Sequence, residues 1–452
     1  MVISKSDYML FLKHPAWLWV KKNDPKKIPP VDENTQALFD AGHKFEPYAE
    51  SLFPEGQALG FSDYNEYLSL PQRTQDAISN GLQVLFQARF EWGEYTCISD
   101  IVSFVGENEI DLYEIKASTK VKPEHEFDLA FQTAVIEGSG LKVRKVYVIF
   151  ANNKYVRNGE IEADKITHVQ EVTEKVRNRG ESTAKYMPMS LRVAMQSKMP
   201  DPSPDLAKLN SKDEWLKIYE NIVPSVKKVW PDDCVPNIVK EQIKSFIDEF
   251  KYPLYFLDYE TLMSLIPYFD GHRPYQQVPF QYSLHVLESH DAELDWREYL
   301  HRDNSDPARS LTEKLLSDIG TEGTVLVWYE SFEKKRNSEL GEMLPEYADA
   351  LDAVNNRVVD LIIPFKKKWY DDPRCEGSAS IKAVLPVLCP HLSYKELGIQ
   401  EGGSAQRLWM EAVLDDKRAD EKEKILADLT EYCKLDTYAM VEIFKCLKKS
   451  CE

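Results

Sequence analysis

The sequence lacks long apolar runs, although 43% of its 452 residues are hydrophobic. A membrane-spanning helix needs roughly 18 or more consecutive apolar residues, and no such run is present. The first residues also show no apolar signal-peptide core followed by a cleavage site. We therefore expect a cytoplasmic protein that has no membrane partner.

Closely spaced cysteine pairs are absent as well. The chain has seven cysteines, and none of them forms a Cys-x-x-Cys motif. Structural zinc sites and disulfide frameworks in small domains depend on such spacings. The cysteines are therefore interpreted as reduced thiols, and neither a zinc site nor an iron–sulfur cluster is expected.

Basic residues are too few for a protein that coats nucleic acid. Lysine and arginine number 56 against 75 acidic residues, which leaves a net charge of −19. General DNA-coating proteins are basic. A nuclease is not excluded, because metal-binding carboxylates add negative charge and local basic patches can still bind the phosphate backbone.

The length favours two domains, since a single core rarely exceeds about 250 residues. The polar, proline-containing stretch 197–211 is the predicted linker, and residues 213–250 are a predicted helical connector with breaks at Pro224, Pro231 and Pro236. The predicted organisation is a first domain at 1–196, a linker and connector at 197–250, and a second domain at 251–452. Both domains mix helices and strands, so the predicted fold class is α/β of the α+β type with mixed sheets.

A hairpin between Cys97 and Ile115 carries the first cluster of candidate residues. Alternating apolar residues predict two strands, with Asp100 on the first strand and both Glu114 and Lys116 on or next to the second. Residues two apart on a strand share a face, so Glu114 and Lys116 project together. Two carboxylates and a lysine suit phosphodiester hydrolysis. The carboxylates would bind Mg²⁺ or Mn²⁺, and the lysine would orient water or neutralise charge on the phosphate. Acids that flank strands are common, however, so a purely structural role stays open.

The surrounding segments predict further contributors. A helix over 32–52 offers Glu46 or His43 as a third metal ligand, and either could instead face solvent. A helix near 126–137 carries Gln132. A third helix is predicted over 71–87, and a hairpin-like segment over 152–166.

Residues 38 to about 150 resemble the PD-(D/E)XK nuclease superfamily, in particular RecB-type nucleases and their CRISPR-associated relatives. The resemblance implies that Glu46, Asp100 and Glu114 are metal ligands, that Lys116 is catalytic and that Gln132 supports the site. Ile136 stands where many relatives have tyrosine. The cysteines that hold an iron–sulfur cluster in some relatives are missing, so the resemblance implies no cluster here.

The second cluster combines a strand and the last predicted helix. Asp258 and Glu260 form an Asp-x-Glu pair in an apolar strand, and Tyr432 and Asp436 lie four apart on a helix. Buried carboxylates need a compensating cation, so these acids are candidate ligands for a pair of metal ions. A tyrosine beside an aspartate can position the attacking water, although Tyr432 by itself is also a reasonable core residue.

These residues resemble the DEDDy exonucleases, whose RNase H-like fold also occurs in DnaQ-type proofreading subunits. The segments Phe256–Thr261 and Arg273–Ser283 further resemble a bacterial family that fuses a RecB-like nuclease to a DnaQ-like domain. The resemblance covers 252–445 and implies a 3′–5′ exonuclease with two metal ions. For the remaining acid of the DEDD set, Glu333 is preferred because it follows an apolar strand and begins a helix, and Asp360 is the rival.

Three further residues are candidate contacts to nucleic acid. Arg273 could bind phosphate and Tyr275 could stack on a base, but a structural turn before the next strand explains them equally well. Lys382 could touch phosphate, or could simply lie at a helix start capped by Ser380. The sequence as a whole predicts a metal-dependent nuclease acting on DNA. The alternatives are a nucleic-acid-binding protein with one or both centres inactive and a nuclease acting on RNA.

Overall fold

The computed structural model describes residues 1–223, 231 and 234–452. They form two compact units. The first unit contains the described part of Met1–Lys227 together with Leu265–Tyr275, and the second contains the described part of Lys228–Ser264 together with Gln276–Glu452. Each unit combines a sheet with helices, which confirms the predicted α+β class with mixed sheets. Among the described residues, no helix has both the length and the apolar character needed to cross a membrane.

The first unit is built on a mixed sheet. Its described strands are, in spatial order, Gln57–Ala58, Val84–Trp92, Tyr95–Phe104, Glu109–Lys116, Lys142–Ala151 and Thr167–Glu171, with Ile3–Ser4 paired to Tyr95–Phe104. Its described helices are Lys5–Lys13, Pro15–Asn23, Glu33–Glu50, Tyr64–Ser79, Pro123–Gly138, Ala163–Ile166, Thr173–Asn178, Gly180–Met195 and Lys212–Ile222. The hairpin predicted around residues 97–115 is confirmed as the antiparallel pair Tyr95–Phe104 and Glu109–Lys116.

Two predictions for the first unit are wrong. The helix predicted over 71–87 ends at Ser79, and a strand starts at Val84, because the apolar run from Val84 is buried in the sheet beside Tyr95–Phe104. The segment 152–166 forms no hairpin in the described structure. It is a turn that leads into the short helix Ala163–Ile166.

The polar stretch 197–211, predicted as a linker, packs onto the rest of the first unit. Trp215, just after it, is fully buried and donates a hydrogen bond from its indole N–H to the carbonyl of Pro202 (2.9 Å). The Trp215 ring stacks on His14 with 4.3 Å between ring centroids. Aromatic burial of this kind outweighs the flexibility that the composition suggests. Pro224 and the other residues at 224–230 and 232–233 in the predicted connector lie outside the described residues.

The second unit is built around a central strand, Leu254–Met263, which is buried along most of its length. The described strands of its main sheet are, in spatial order, Asp295–Leu300, Gln277–Leu287, Leu254–Met263, Thr324–Val327 and Val358–Asp360. The first three run antiparallel to their neighbours, and the last two are parallel to the central strand. A further small pair joins Asn237–Ile238 to Tyr370–Asp371.

The helices of the second unit cover this sheet. Those described are Lys240–Asp248, Ala308–Asp318, Glu330–Met343, Ala348–Asn355, Ile363–Lys366, Ile381–Leu388, Gly402–Trp409 and Lys422–Cys451. The last helix buries an apolar stripe that includes Met440, Ile443, Phe444 and Leu447. This packing sets the strand that carries Asp258 against the helix that carries Asp436.

Candidate metal centres

The hairpin of the first unit brings Glu114 and Lys116 together as predicted. The Lys116 Nζ lies 2.6 Å from Glu114 Oε1 and 2.8 Å from Asp128 Oδ2. The first contact follows from the two-residue period of the strand. The second requires the helix Pro123–Gly138, which packs on the sheet and presents Asp128 to the same point.

Gln132 completes this group from the next turn of that helix. Its Nε2 donates to Glu114 Oε2 (2.7 Å) and to Asp128 Oδ1 (3.0 Å), and its Oε1 accepts from the Ser99 hydroxyl (2.8 Å). Because residues four apart share a helix face, Asp128 and Gln132 reach the site together. The structure therefore brings Gln132 to the site, and it adds Asp128, which the sequence analysis missed. The Asp-x-x-x-Gln spacing is the signal that could have revealed it.

Asp100 and Glu46 lie at the edges of the same group. Asp100 Oδ2 accepts a hydrogen bond from the backbone N–H of Ile115 (2.7 Å). Burial, reinforced by the charge of Glu114, raises the pKa of Asp100 to about 7. Burial also raises the pKa of Glu46, and the charges of Glu114 and Lys5 act on it. His43, the alternative to Glu46, is exposed.

Lys5 is a second basic residue in this centre and was not predicted. Its Nζ lies 2.8 Å from Glu114 Oε1 and 3.9 Å from Asp128 Oδ1. Burial disfavours its charged form, but the charges of Asp128, Glu114 and Asp100 outweigh burial and hold the pKa of Lys5 well above its usual value. No local sequence pattern links Lys5 to residues more than a hundred positions away, so this contact depends on the tertiary structure.

The second centre joins three carboxylates from two elements. One ligand oxygen each of Asp258, Glu260 and Asp436 lies within 4.8 Å of the others. Burial, reinforced by the charge of Asp436, raises the pKa of Asp258 well above its usual value and that of Glu260 to about 8. Burial raises the pKa of Asp436 to about 6. Buried acids this close together repel one another unless a cation compensates them, so the donor set fits divalent metal ions.

Two tyrosines flank Asp436. The Tyr394 hydroxyl donates to Asp436 Oδ1 (2.6 Å), and the Tyr432 side chain is also hydrogen-bonded to Asp436. Burial and the charge of Asp436 raise the pKa of both phenols, so both stay protonated. The predicted pairing of Tyr432 with Asp436 is present, whereas Tyr394 was missed because it lies on a separate loop.

Glu333 and Asp360 differ in what their carboxylates contact. Asp360 accepts hydrogen bonds from the backbone N–H groups of Tyr329 (3.1 Å), Glu330 (3.2 Å) and Ile362 (3.1 Å), so it caps the start of the helix Glu330–Met343. Glu333 is 2% exposed, and its Oε2 has no hydrogen-bond partner among the described residues. Its charge acts on Asp258. These contacts favour Glu333 over Asp360 as the fourth acid.

A pocket of about 380 Å³ opens onto the second centre. Asp258, Glu260, Asp436 and Tyr432 line it, and Lys382 lies at its side. The Lys382 Nζ donates to the carbonyl of Gln400 (2.9 Å), and its charge lowers the pKa of both Glu260 and Asp436. Lys382 also occupies the start of the helix Ile381–Leu388, but the Ser380 side chain forms no cap hydrogen bond there. The lysine is therefore placed to meet an anion that enters the pocket.

The loop that carries Arg273 and Tyr275 belongs to the first unit. Residues 265–275 group with that unit, and the Tyr275 hydroxyl donates to the carbonyl of Ala117 (2.9 Å), next to Lys116. Neither Arg273 nor Tyr275 is among the described residues that line the pocket of the second centre. Their predicted contact with nucleic acid stays a prediction.

Comparisons with known proteins match only part of the chain. A family model described as a domain of unknown function (DUF2779) matches residues 255–380, which carry the central strand and Glu333. Uncharacterized protein MG366 of Mycoplasma genitalium is 24% identical over 225 residues, which is 45% of this chain and 33% of that protein. Its homologue in Mycoplasma pneumoniae is 25% identical over 226 residues, with the same shares covered.

A third relative, Uncharacterized protein UU173 of Ureaplasma parvum, is 25% identical over 219 residues. That match covers 43% of this chain and 31% of the relative. The chain thus spans about a third of the length of the curated relatives it matches. The family model matches residues 255–380, and neither its description nor the relatives' names give an activity.

Proposed function

We propose that the protein is a divalent-metal-dependent nuclease that hydrolyses phosphodiester bonds in DNA. The observation that carries the proposal is the trio Asp258, Glu260 and Asp436, whose ligand oxygens converge within 4.8 Å in a buried pocket. A cluster of acids with raised pKa values in a concave site is typical of a metal centre.

The second centre has the residues that a 3′–5′ exonuclease needs. Asp258, Glu260 and Asp436, with Glu333 behind them, would hold Mg²⁺ or Mn²⁺, and such ions, when bound, neutralise phosphate charge and activate water. Tyr432 keeps its proton and donates it in a hydrogen bond to Asp436, so its oxygen can accept a hydrogen bond from the water and orient it. Lys382 supplies a positive charge on the phosphate side of the pocket.

The topology of the second unit supports this proposal. Its sheet has three antiparallel strands followed by two parallel ones, which is the arrangement expected for an RNase H-like domain. Asp258 and Glu260 lie on the central strand, and Asp436 comes from the closing helix. The family match over residues 255–380 includes Asp258, Glu260, Glu333 and Asp360.

The first centre is proposed as the PD-(D/E)XK site. Asp100 and Glu114, with Glu46 nearby, are its candidate metal ligands, Lys116 is the candidate for orienting the nucleophile, and Gln132 fixes the orientation of Glu114. The contacts of Glu114 also give weight to a second candidate function. Both of its oxygens already accept hydrogen bonds, so a first centre that binds nucleic acid without cleaving it is the alternative.

Cleavage of labelled oligonucleotides tests both centres. Single- and double-stranded DNA labelled at the 5′ or 3′ end would be incubated with Mg²⁺ or Mn²⁺ and the wild type, Asp258→Asn, Lys116→Met or the double variant. Glu431→Gln is the matched control, because Glu431 is exposed on the same helix as Asp436. We expect Asp258→Asn to abolish the 3′–5′ ladder and Lys116→Met to remove any remaining cleavage.

The product pattern separates the alternatives. Wild-type rates in the double variant would refute the enzyme proposal. If only Asp258→Asn changes the rate while Lys116→Met weakens DNA binding, the first centre is a binding module. Matched RNA strands in the same assay test whether a 2′-hydroxyl is accepted, and faster cleavage of RNA would assign the protein to the RNA-directed class.

A further inference from the structure

The Lys5 ammonium lies inside the first centre, although Lys5 belongs to no part of the Asp…Glu-x-Lys motif. It contacts the same oxygen, Glu114 Oε1, that Lys116 contacts, at 2.8 Å and 2.6 Å respectively. Its side chain is 22% exposed, the same fraction as that of Lys116. The centre therefore has two ammonium groups on one carboxylate, one from the motif and one from the N-terminal helix.

Local structure holds Lys5 in this position. The strand Ile3–Ser4 pairs in parallel with Tyr95–Thr96, and Ser4 then caps the helix that starts at Lys5. The Ser4 side chain accepts from the backbone N–H of Asp7, and the Asp7 side chain accepts from the backbone N–H of Ser4, which forms a capping box. Lys5 is thus fixed by its own backbone next to the strand that carries Asp100.

The charges of the first centre leave room for one divalent ion. Asp100, Glu114, Asp128 and Glu46 contribute four negative charges when ionised, and Lys5 and Lys116 contribute two positive charges. One divalent cation would bring this set to neutrality. A second would leave an excess of two positive charges beside two ammonium groups, and like charges a few ångströms apart repel one another strongly.

The second centre differs in its balance of acidic and basic groups. Its four acids are Asp258, Glu260, Glu333 and Asp436, and among the described residues that line its pocket Lys382 is the basic one. The Lys382 Nζ donates to the Gln400 carbonyl (2.9 Å), whereas Lys5 and Lys116 contact a carboxylate oxygen directly. Counted without Lys382, which bonds to a carbonyl, the four ionised carboxylates keep two negative charges with one divalent ion and reach neutrality with two, so the charges favour a pair of ions.

We propose that the Lys5 ammonium takes the place of a second divalent cation, so that the first centre binds a single metal ion. This inference rests on the proposed metal-dependent function of that centre. Lys5 is a positioning residue in this arrangement, because it acts on Glu114 and Asp128. A purely structural ion pair would stabilise the fold without affecting how many ions the centre accepts.

The test is the number of Mn²⁺ ions bound, measured by electron paramagnetic resonance of free Mn²⁺ and by calorimetry. The full-length protein would carry Asp258→Asn and Asp436→Asn, so that the second centre is disabled. Lys5→Met removes the charge but keeps the length of the side chain, and Lys5→Arg keeps the charge. Lys22→Met is the matched control, because Lys22 forms an ion pair with buried Asp7 outside the centre (2.6 Å).

We expect one Mn²⁺ per chain with Lys5, Lys5→Arg and Lys22→Met, and two with Lys5→Met. Two ions bound while Lys5 is present would overturn the inference, as would one ion in both the Lys5 and Lys5→Met proteins. If Lys5→Met does not fold, the number of Mn²⁺ ions bound by the protein with native Lys5 still distinguishes one ion from two. No Mn²⁺ at the first centre would refute its proposed metal-dependent function, a result that differs from the two-ion outcome.

Discussion

Replacing Glu333 with glutamine should stabilise the metal-free protein. Burial raises the pKa of this carboxyl from 4.5 to about 8, and its Oε2 has no hydrogen-bond partner in the part of the chain that the structure describes. Between these two pH values, the folded protein holds a proton that the unfolded chain has lost. The free energy of unfolding therefore falls as pH rises through this window, by about 1.4 kcal/mol per pH unit.

At pH 7 the buried carboxyl lowers the free energy of unfolding by about 3 kcal/mol, since this pH lies about 2.5 units above the pKa of glutamate in the unfolded chain. Glutamine has nearly the same shape and does not titrate, so Glu333→Gln should recover up to about this amount. For a domain of roughly 150 to 250 residues, this corresponds to a rise of about 6 to 12 °C in Tm. At pH 5 the difference should shrink to less than about 1 kcal/mol.

Thermal and urea unfolding in EDTA at pH 5, 6, 7 and 8 measures this effect, with exposed Glu431→Gln as the control. Mg²⁺ or Mn²⁺ should then raise the Tm of the wild type more than that of Glu333→Gln. The reasoning is refuted if Glu333→Gln leaves the Tm unchanged at pH 7, or if the advantage of the variant does not grow between pH 5 and 8.

Three further predictions follow from the second unit. Tyr432→Phe keeps the ring but loses the hydroxyl that orients water, so the rate of single-turnover cleavage should fall about a hundredfold. Mn²⁺ binding, measured by calorimetry, should be retained, and a parallel loss of Mn²⁺ binding would contradict this role. Because Glu260 and Asp436 have pKa values raised to about 8 and 6, metal binding should release protons near pH 7 and fewer at pH 9, and calorimetry in buffers of different ionisation enthalpy would detect them. Gly323→Ala should destabilise the protein strongly, because φ is +91° and the new Cβ would lie 2.1 Å from the Pro253 carbonyl oxygen. The control Gly271→Ala, with φ +82° and open space around the new Cβ, should lower the free energy of unfolding in urea by only about 1 kcal/mol or somewhat more. Equal losses for the two variants would rule out the clash.

Local periodicity explains which parts of the sites were predictable. Glu114 and Lys116 share a strand face, and Tyr432 and Asp436 share a helix face, so short-range geometry was enough to pair them. The same reasoning failed at Val84–Phe86, where an apolar run fits a buried strand as well as a helix. It preferred Glu333 to Asp360 from the position of Glu333 alone, whereas the structure distinguishes them by three backbone N–H groups that only the folded chain brings to Asp360.

The sequence alone determined the residue types and their local spacing: two acidic clusters, each next to an apolar strand, and the mixed α+β character. Only the tertiary structure decided which distant groups complete each cluster. Lys5 reaches Glu114, Asp128 reaches Lys116, and Tyr394 reaches Asp436, through packing of separate segments of the chain. The physical reason is that hydrogen-bond geometry and burial depend on distance in space, whereas sequence patterns report only the periodicity of a single helix or strand.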